Sequence, residues 1–216
     1  NTYAPNFPPL IENCNISNNT AGYSGGGIYN DRCSTVITNC VVTDNSLTDQ
    51  AGRTGGSGIA NTSDCATIIT NCTIANNHGI GGGFLDDYYE GIPVLNNCIL
   101  WGNDNAQIYL GSMAVVTVTY SDVDQEGYGA AGGMPDADGN IRLNPLFMNA
   151  AEGNYALRLG SPCIDAGTDV GAPDEDILGM ARPQGDGFDM GAYEYDGIIY
   201  NGPWYVDGDA TVSGDG

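Results

Sequence analysis

Short apolar runs of three or four residues, separated by glycine or asparagine, recur through the first 125 residues. Each period holds three of them, of the kind TVIT, CVV and GIY. Alternation within the runs places Val36, Cys40 and Val42 on one face, with Thr and Asn between them on the other. No stretch of a dozen residues keeps a helical period with caps at both ends. The pattern predicts an all-β chain of short strands.

The runs also repeat in sequence. Residues 34–45 read STVITNCVVTDN and residues 66–77 read ATIITNCTIANN, with relatives PPLIENCNISNN at 8–19 and IPVLNNCILWGN at 92–103. Cys14, Cys40, Cys72 and Cys98 are spaced 26, 32 and 26 apart, and an asparagine follows each by five: Asn19, Asn45, Asn77 and Asn103. A second motif lies between them, GGGIYN (25–30), GSGIAN (56–61) and GGGFLD (81–86); its Ile28, Ile59 and Phe84 are spaced 31 and 25. Three strands per period, each stacked about 4.8 Å above its equivalent, make a parallel β-solenoid. Insertions such as SLTDQAGRTGG (46–56) bulge out as loops.

Equivalent residues of successive coils then form columns. The four cysteines pack inward as small buried hydrophobes, and Cys33 with Cys65 forms a shorter column. Stacked thiols about 4.8 Å apart lie within disulfide range. Asn19, Asn45, Asn77 and Asn103 suit left-handed corners and can hydrogen-bond along their column. The order continues through QIYL (107–110) and VTVTYSDV (116–123), with Ser121 in the cysteine slot at a spacing of 23. This divides the chain into coils (1–125), a non-repeating end-cap region (126–196) and an extended tail (197–216).

Composition narrows the partners. Against 27 Asp and Glu stand five Arg and no Lys, for a net charge of -22. Such a chain repels nucleic acid and anionic membranes, and no apolar run is long enough to span a bilayer. Thirty-three glycines agree with frequent turns. The seven cysteines are an odd number, so at least one has no internal partner. Without an initiator Met, signal peptide or sorting tail, the sequence reads as a mature chain or a fragment.

The succession NCILWGN, TYSDV, GNIRLNPLF, NYALRLGSPCIDAGT and DILGMARPQGDGFDMGAYEY resembles right-handed parallel β-helix proteins of the "choice-of-anchor Q" type, over residues 8 to 195. That resemblance implies a bacterial, extracellular surface protein. It also brings polysaccharide lyases and glycoside hydrolases into view as cousins. A start-like segment of that group, WYVDGDATVSGDG, here stands at residues 204–216.

Catalytic chemistry is sparse. A glycosidase needs two carboxyl groups flanking the scissile bond. The outward acids at repeat positions are Glu12, Asp31, Asp44, Asp64, Asp86, Asp87 and Glu90, and Asp86–Asp87–Tyr88–Tyr89–Glu90 is the densest cluster. It reads as a solvated loop. Arg32 and Arg53 sit in loops, and His78, the single histidine, lies in a surface turn. Asp122, Asp124 and Glu126 follow the first half of a calcium-loop pattern that lacks its twelfth-position Glu, and Asp136-x-Asp138 and Asp207-x-Asp209 are shorter versions. Calcium is the one cofactor this suggests. Sequons at Asn15, Asn18, Asn61 and Asn71 mark acceptors for glycosylation, Asn71 lying within the stacked motif.

These features predict no enzyme but an extracellular structural module. Its apolar tail, with Ile198, Ile199, Tyr200, Trp204, Tyr205 and Val206, docks on the open coil of the next copy and builds a filament. A polysaccharide-active enzyme and a glycan-binding adhesin are the alternatives.

Overall fold

The computed structural model describes residues 8–48, 55–87, 91–111, 114–124 and 139–197. Among these, short strands wind into a parallel β-solenoid of about four coils with three walls. The first wall stacks β1 (Leu10–Glu12), β5 (Val36–Thr38), β9 (Ile68–Thr70), β12 (Val94–Asn96) and β15 (Thr117–Thr119). The second stacks β2 (Asn15–Ser17), β6 (Val41–Thr43), β10 (Thr73–Ala75), β13 (Ile99–Trp101) and β16 (Asp122–Val123). The third stacks β4 (Ile28–Asp31), β8 (Ile59–Thr62), β11 (Phe84–Asp86) and β14 (Ile108–Leu110). A small corner pair joins β3 (Thr20–Ala21) to β7 (Ser46–Leu47). We call the coil that begins at β1 the lower end.

The register is the one the spacings predict. Asn15 pairs with Val41, Val41 with Thr73, Thr73 with Ile99 and Ile99 with Asp122, so Cys14, Cys40, Cys72, Cys98 and Ser121 stand one above another. Ile28, Ile59, Phe84 and Ile108 form a second inward column. One apolar core fills the tube, built from Ile37, Val42, Ile69, Ile74, Leu95 and Leu100 with the cysteines and the third-wall column.

Two local expectations are corrected. Ile37 points inward and Val36 outward, because the left-handed residue Asn39 (φ 49) interrupts the alternation between β5 and β6. Ile37 and Cys40, three apart, therefore share the core face. The left-handed corners themselves are Asn13, Asn39, Asn71 and Asn97, and then Asn18, Asp44, Asn76 and Gly102. Each of the second set immediately precedes a column asparagine, which frees Asn19, Asn45, Asn77 and Asn103 to turn their amides into the stack.

The closing region lies along the side of the solenoid. Outward Val41, Ala75 and Ile99 of the second wall are apolar and need cover, which this region supplies. Tyr155, Ala192 and Tyr193 pack on Val41 and Ala75, while Leu157, Cys163 and Met190 pack on Ile99. The corner asparagines tie it down coil by coil. Asn39 Nδ2 donates to Glu175 O, Asn71 Nδ2 to Asp189 O and Asn97 Nδ2 to Thr168 O. An antiparallel pair, β17 (Phe147–Asn149) with β18 (Asn154–Leu157), opens the region. Before it, Asn140 and Ile141 add a partial rung above β16, with Ile141 N–H donating to Ser121 O.

Candidate functional site

The asparagine column is a continuous hydrogen-bonded ladder. Each Oδ1 accepts both the backbone N–H and the Nδ2 of the asparagine one coil below: Asn45 from Asn19 at 3.1 and 2.9 Å, Asn77 from Asn45 at 3.1 and 3.0 Å, Asn103 from Asn77 at 3.0 and 2.8 Å. Gln107 closes the upper end, accepting from Asn103 and donating back to its carbonyl.

The cysteine column works by the same logic. Cys72 Sγ accepts the Cys40 N–H at 3.3 Å and donates to Thr70 O at 3.2 Å. Ser121 does both jobs with an oxygen, accepting from Cys98 N–H at 2.9 Å and donating to Thr119 O at 2.8 Å. The slot therefore demands a small side chain that both accepts and donates, and hydrophobicity alone does not describe it. Burial pushes the Cys98 thiol up to about 12 and Cys72 well above the ordinary range. All seven cysteines are free thiols, and Cys33 N–H donates to Cys65 Sγ in the second column. Replacing Cys72 by alanine should cost about 1–3 kcal/mol, since it strands the buried Cys40 N–H. Replacing it by serine should cost clearly less; equal losses in chemical denaturation would sink this account of the slot.

A third column holds Asn30, Asn61 and Asp86. Asn30 Nδ2 donates to Asn61 Oδ1 at 2.9 Å, and each amide oxygen accepts a threonine of its own coil, Thr35 or Thr67. Asp86 breaks the series. The register puts Pro93 where Thr35 and Thr67 stand, so the third coil has no hydroxyl there. Asp86 is fully buried, and neither of its oxygens nor Asn61 Nδ2 completes a hydrogen bond among the described residues. Desolvation pushes its carboxyl up to about 7, the Asn61 amide opposing and the Asp87 charge adding.

Asp86 and Asp87 face opposite ways, Asp86 buried and Asp87 exposed, so they do not converge on one outside groove. Tyr88, Tyr89, Glu90, Arg53, Asp136, Asp138, Asp207 and Asp209 lie outside the described residues. Asp44 Oδ2 accepts the Tyr155 hydroxyl at 3.0 Å. Asp31 accepts from Thr62 and Ser63, and Glu12 and Asp64 are exposed. His78 sits beside Asp104, at 3.5 Å and more than half exposed, and Arg32 occupies an exposed left-handed corner.

Asp122 continues the outward column of Ile99 and is buried beneath the closing region. Its Oδ1 accepts Leu143 N–H at 3.1 Å and its Oδ2 accepts the Cys163 thiol at 3.2 Å, while burial pushes it up to about 7. Asp124 is half-buried, and Glu126 lies outside the described residues. Among the described residues no three His, Cys, Asp or Glu side chains converge as a metal site. Of the sequons, Asn15 and Asn18 are exposed. Asn61 and Asn71 are fully buried, Asn61 accepting through Oδ1 and Asn71 donating through Nδ2, so the expected acceptor at Asn61 is closed by burial in the folded chain.

The motif residues near the C-terminus, for which the sequence carried no mechanism, form a connected polar network. Arg182 and Glu194 make a buried ion pair at 2.6 Å. Arg182 also donates to Asp189 O and Gly191 O, and Glu194 accepts Gln184 N–H and Asp189 N–H. Asp189 caps Asp165 N–H and Tyr195 N–H, and Asp176 caps Leu178, Met180 and Glu194. These acids hold the closing region in shape.

A family model described as a right-handed beta helix region matches residues 4–139. None of the curated proteins and none of the solved structures compared with the chain matches it.

Proposed function

The chain belongs to the right-handed β-helix family, and from that premise we propose that it is a non-catalytic structural module of the cell surface or extracellular space that joins end to end with copies of itself. β-Helix domains occur both in surface proteins and in polysaccharide-active enzymes, so the choice between them rests on this chain's own residues. The observation that carries it is the lower end. Among the described residues, β1, β2 and β4 each have a hydrogen-bonded neighbour on one side alone. Ile11, Cys14 and Ile16 are only partly buried there, whereas their counterparts Ile37, Cys40 and Val42 one coil up are fully buried. A strand edge beside partly exposed apolar residues is a template for strand addition.

The use of acids points the same way. Asp122, Asp176, Asp189 and Glu194 are engaged in internal hydrogen bonds. The apolar tail containing Ile198, Ile199, Tyr200, Trp204, Tyr205 and Val206 supplies the docking segment; it lies outside the described residues. A head-to-tail contact of this kind does not close on itself and grows a filament. Sedimentation velocity should show concentration-dependent growth, with fibres in electron micrographs. Deletion of residues 197–216 should abolish both, and normal fibres from the truncated chain would refute tail docking. A chain that degrades glycans in solution would support the polysaccharide-active alternative instead.

A further inference from the structure

The corner that leads from the third wall to the first carries the second set of stacked cysteines. Cys33 and Cys65 each stand three residues before a first-wall residue, Val36 or Ile68, and those two pair in register. The two coils are tied on both sides of the cysteines. Ser63 Oγ donates to Asp31 Oδ1 at 3.1 Å and Arg32 N–H to Thr62 O at 3.3 Å before them, and Ala66 N–H donates to Ser34 Oγ at 2.9 Å after them. The equivalent place in the third coil is Gly91, where a Cβ would strike the Cys65 carbonyl oxygen. These thiols therefore form a pair, unlike the core column, which runs on from coil to coil.

We propose that Cys33 and Cys65 are a disulfide-forming pair, closed by thiol–disulfide exchange with a low-molecular-weight disulfide. A rung spacing of about 4.8 Å puts their Cα atoms within the disulfide range of about 4.4–6.8 Å. Cys65 Sγ points at the coil below, where it accepts the Cys33 N–H at 3.2 Å. Cys33 Sγ lies 3.9 Å from Thr35 Oγ1, and a turn about the Cα–Cβ bond of Cys33 is the movement that brings the two sulfurs together. Thr62 O accepts the Cys65 thiol at 3.1 Å in the reduced chain and also the Arg32 N–H. Loss of the thiol hydrogen therefore strands no backbone acceptor.

Exposure sets the order of the steps. Cys33 is partly exposed, and Cys65 is fully buried. The Cys33 thiolate attacks one sulfur of the external disulfide, forms a mixed disulfide and expels the other sulfur as a thiolate. Cys65 then loses its proton, attacks Cys33 Sγ and expels the second thiolate. Two protein thiols are oxidised, the external disulfide is reduced to two thiols, and the protons pass to the thiolates released. Burial pushes the Cys65 thiol up, with the Cys33 N–H opposing, which makes closure the slower step. Cys40, Cys72 and Cys98 are fully buried in the apolar core, out of reach of the external disulfide. An extracellular chain meets such disulfides. The bond forms within a single copy and does not depend on end-to-end joining.

The test incubates the folded full-length chain with oxidised glutathione at pH 8 and counts thiols by alkylation after denaturation. Of the seven thiols, Cys33 and Cys65 should be lost, and the digest should contain a peptide that links them. The unfolding temperature should rise by roughly 5–15 °C, the scale for cross-linking residues 32 positions apart, and dithiothreitol should reverse the rise. Cys65→Ser should stop at the glutathione adduct on Cys33 and show no such rise. Cys33→Ser should leave Cys65 reduced. A folded parent chain that keeps both thiols, stops at the adduct on Cys33, or joins either cysteine to any other thiol overturns the pair.

Discussion

Replacing Arg182 by methionine is expected to lower the stability of the chain by about 3–5 kcal/mol, the usual cost of removing one partner from a buried pair. The guanidinium and the Glu194 carboxylate are both out of contact with water, 2.6 Å apart. Desolvation lowers the Arg182 pKa and raises that of Glu194, and each charge opposes the other's shift. Methionine keeps much of the side-chain volume but leaves Glu194 buried without a countercharge. It also removes the donors to Asp189 O and Gly191 O. Those two carbonyls are the ones that accept Asn71 Nδ2, so the damage passes directly to the contact with the third coil. Loss of the closing region would bare Val41, Ala75 and Ile99, and limited proteolysis should cut first within residues 160–195. Adding Glu194→Gln to Arg182→Met should restore a substantial part of the loss. A single variant within 1 kcal/mol of the parent, by denaturant unfolding, would show that the pair does not anchor this region.

The second large effect is a loss of stability as the pH rises. Asp86, Asp122 and Asp189 are each pushed by burial up to about 7 from an ordinary value near 3.8. For an acid whose folded value lies above its unfolded one, the neutral form favours the fold. The stabilisation is full below about pH 4 and is lost as the pH climbs through about 7. Each carboxyl accounts for up to a few kcal/mol across that window. Repulsion within a chain of net charge -22 acts in the same direction as the acids ionise. The unfolding temperature should therefore be higher at pH 5 than at pH 8. Asp86 offers the clearest single test. Asparagine at that position would extend the Asn30–Asn61 amide series, so D86N should raise stability at pH 8 by about 1–3 kcal/mol, the scale of relieving one unsatisfied buried group, and flatten the dependence between pH 5 and 8. A flat profile in the parent chain, or a D86N variant less stable at pH 8, would contradict this reading of the column.

Much of the fold was legible before any coordinate because a solenoid converts sequence spacing directly into vertical register. Spacings of 26, 32, 26 and 23 place Cys14 through Ser121 on successive rungs, and the loops absorb the variation in period. The phase of β5 was not legible by counting in twos, since the left-handed Asn39 resets the alternation and exchanges the places of Val36 and Ile37. Nor was the fate of individual acids. Asp86 and Asp87 look alike in the sequence and end on opposite sides of the wall, because successive residues of a strand alternate. Asn61 reads as a sequon, but its place in a column turns the amide inward.

Local repetition alone determined the coil, its three walls, its columns and their order, since each depends on residues a fixed distance apart in the chain. What the tertiary structure decided was everything that joins residues of unrelated spacing: Arg182 against Glu194 within the closing region, Cys163 against Asp122, and Glu175 against Asn39 across 136 positions. No periodicity encodes those contacts. They exist because the second wall keeps an apolar outer face, and burying it draws the non-repeating residues down its side, where their polar groups must then find partners out of water.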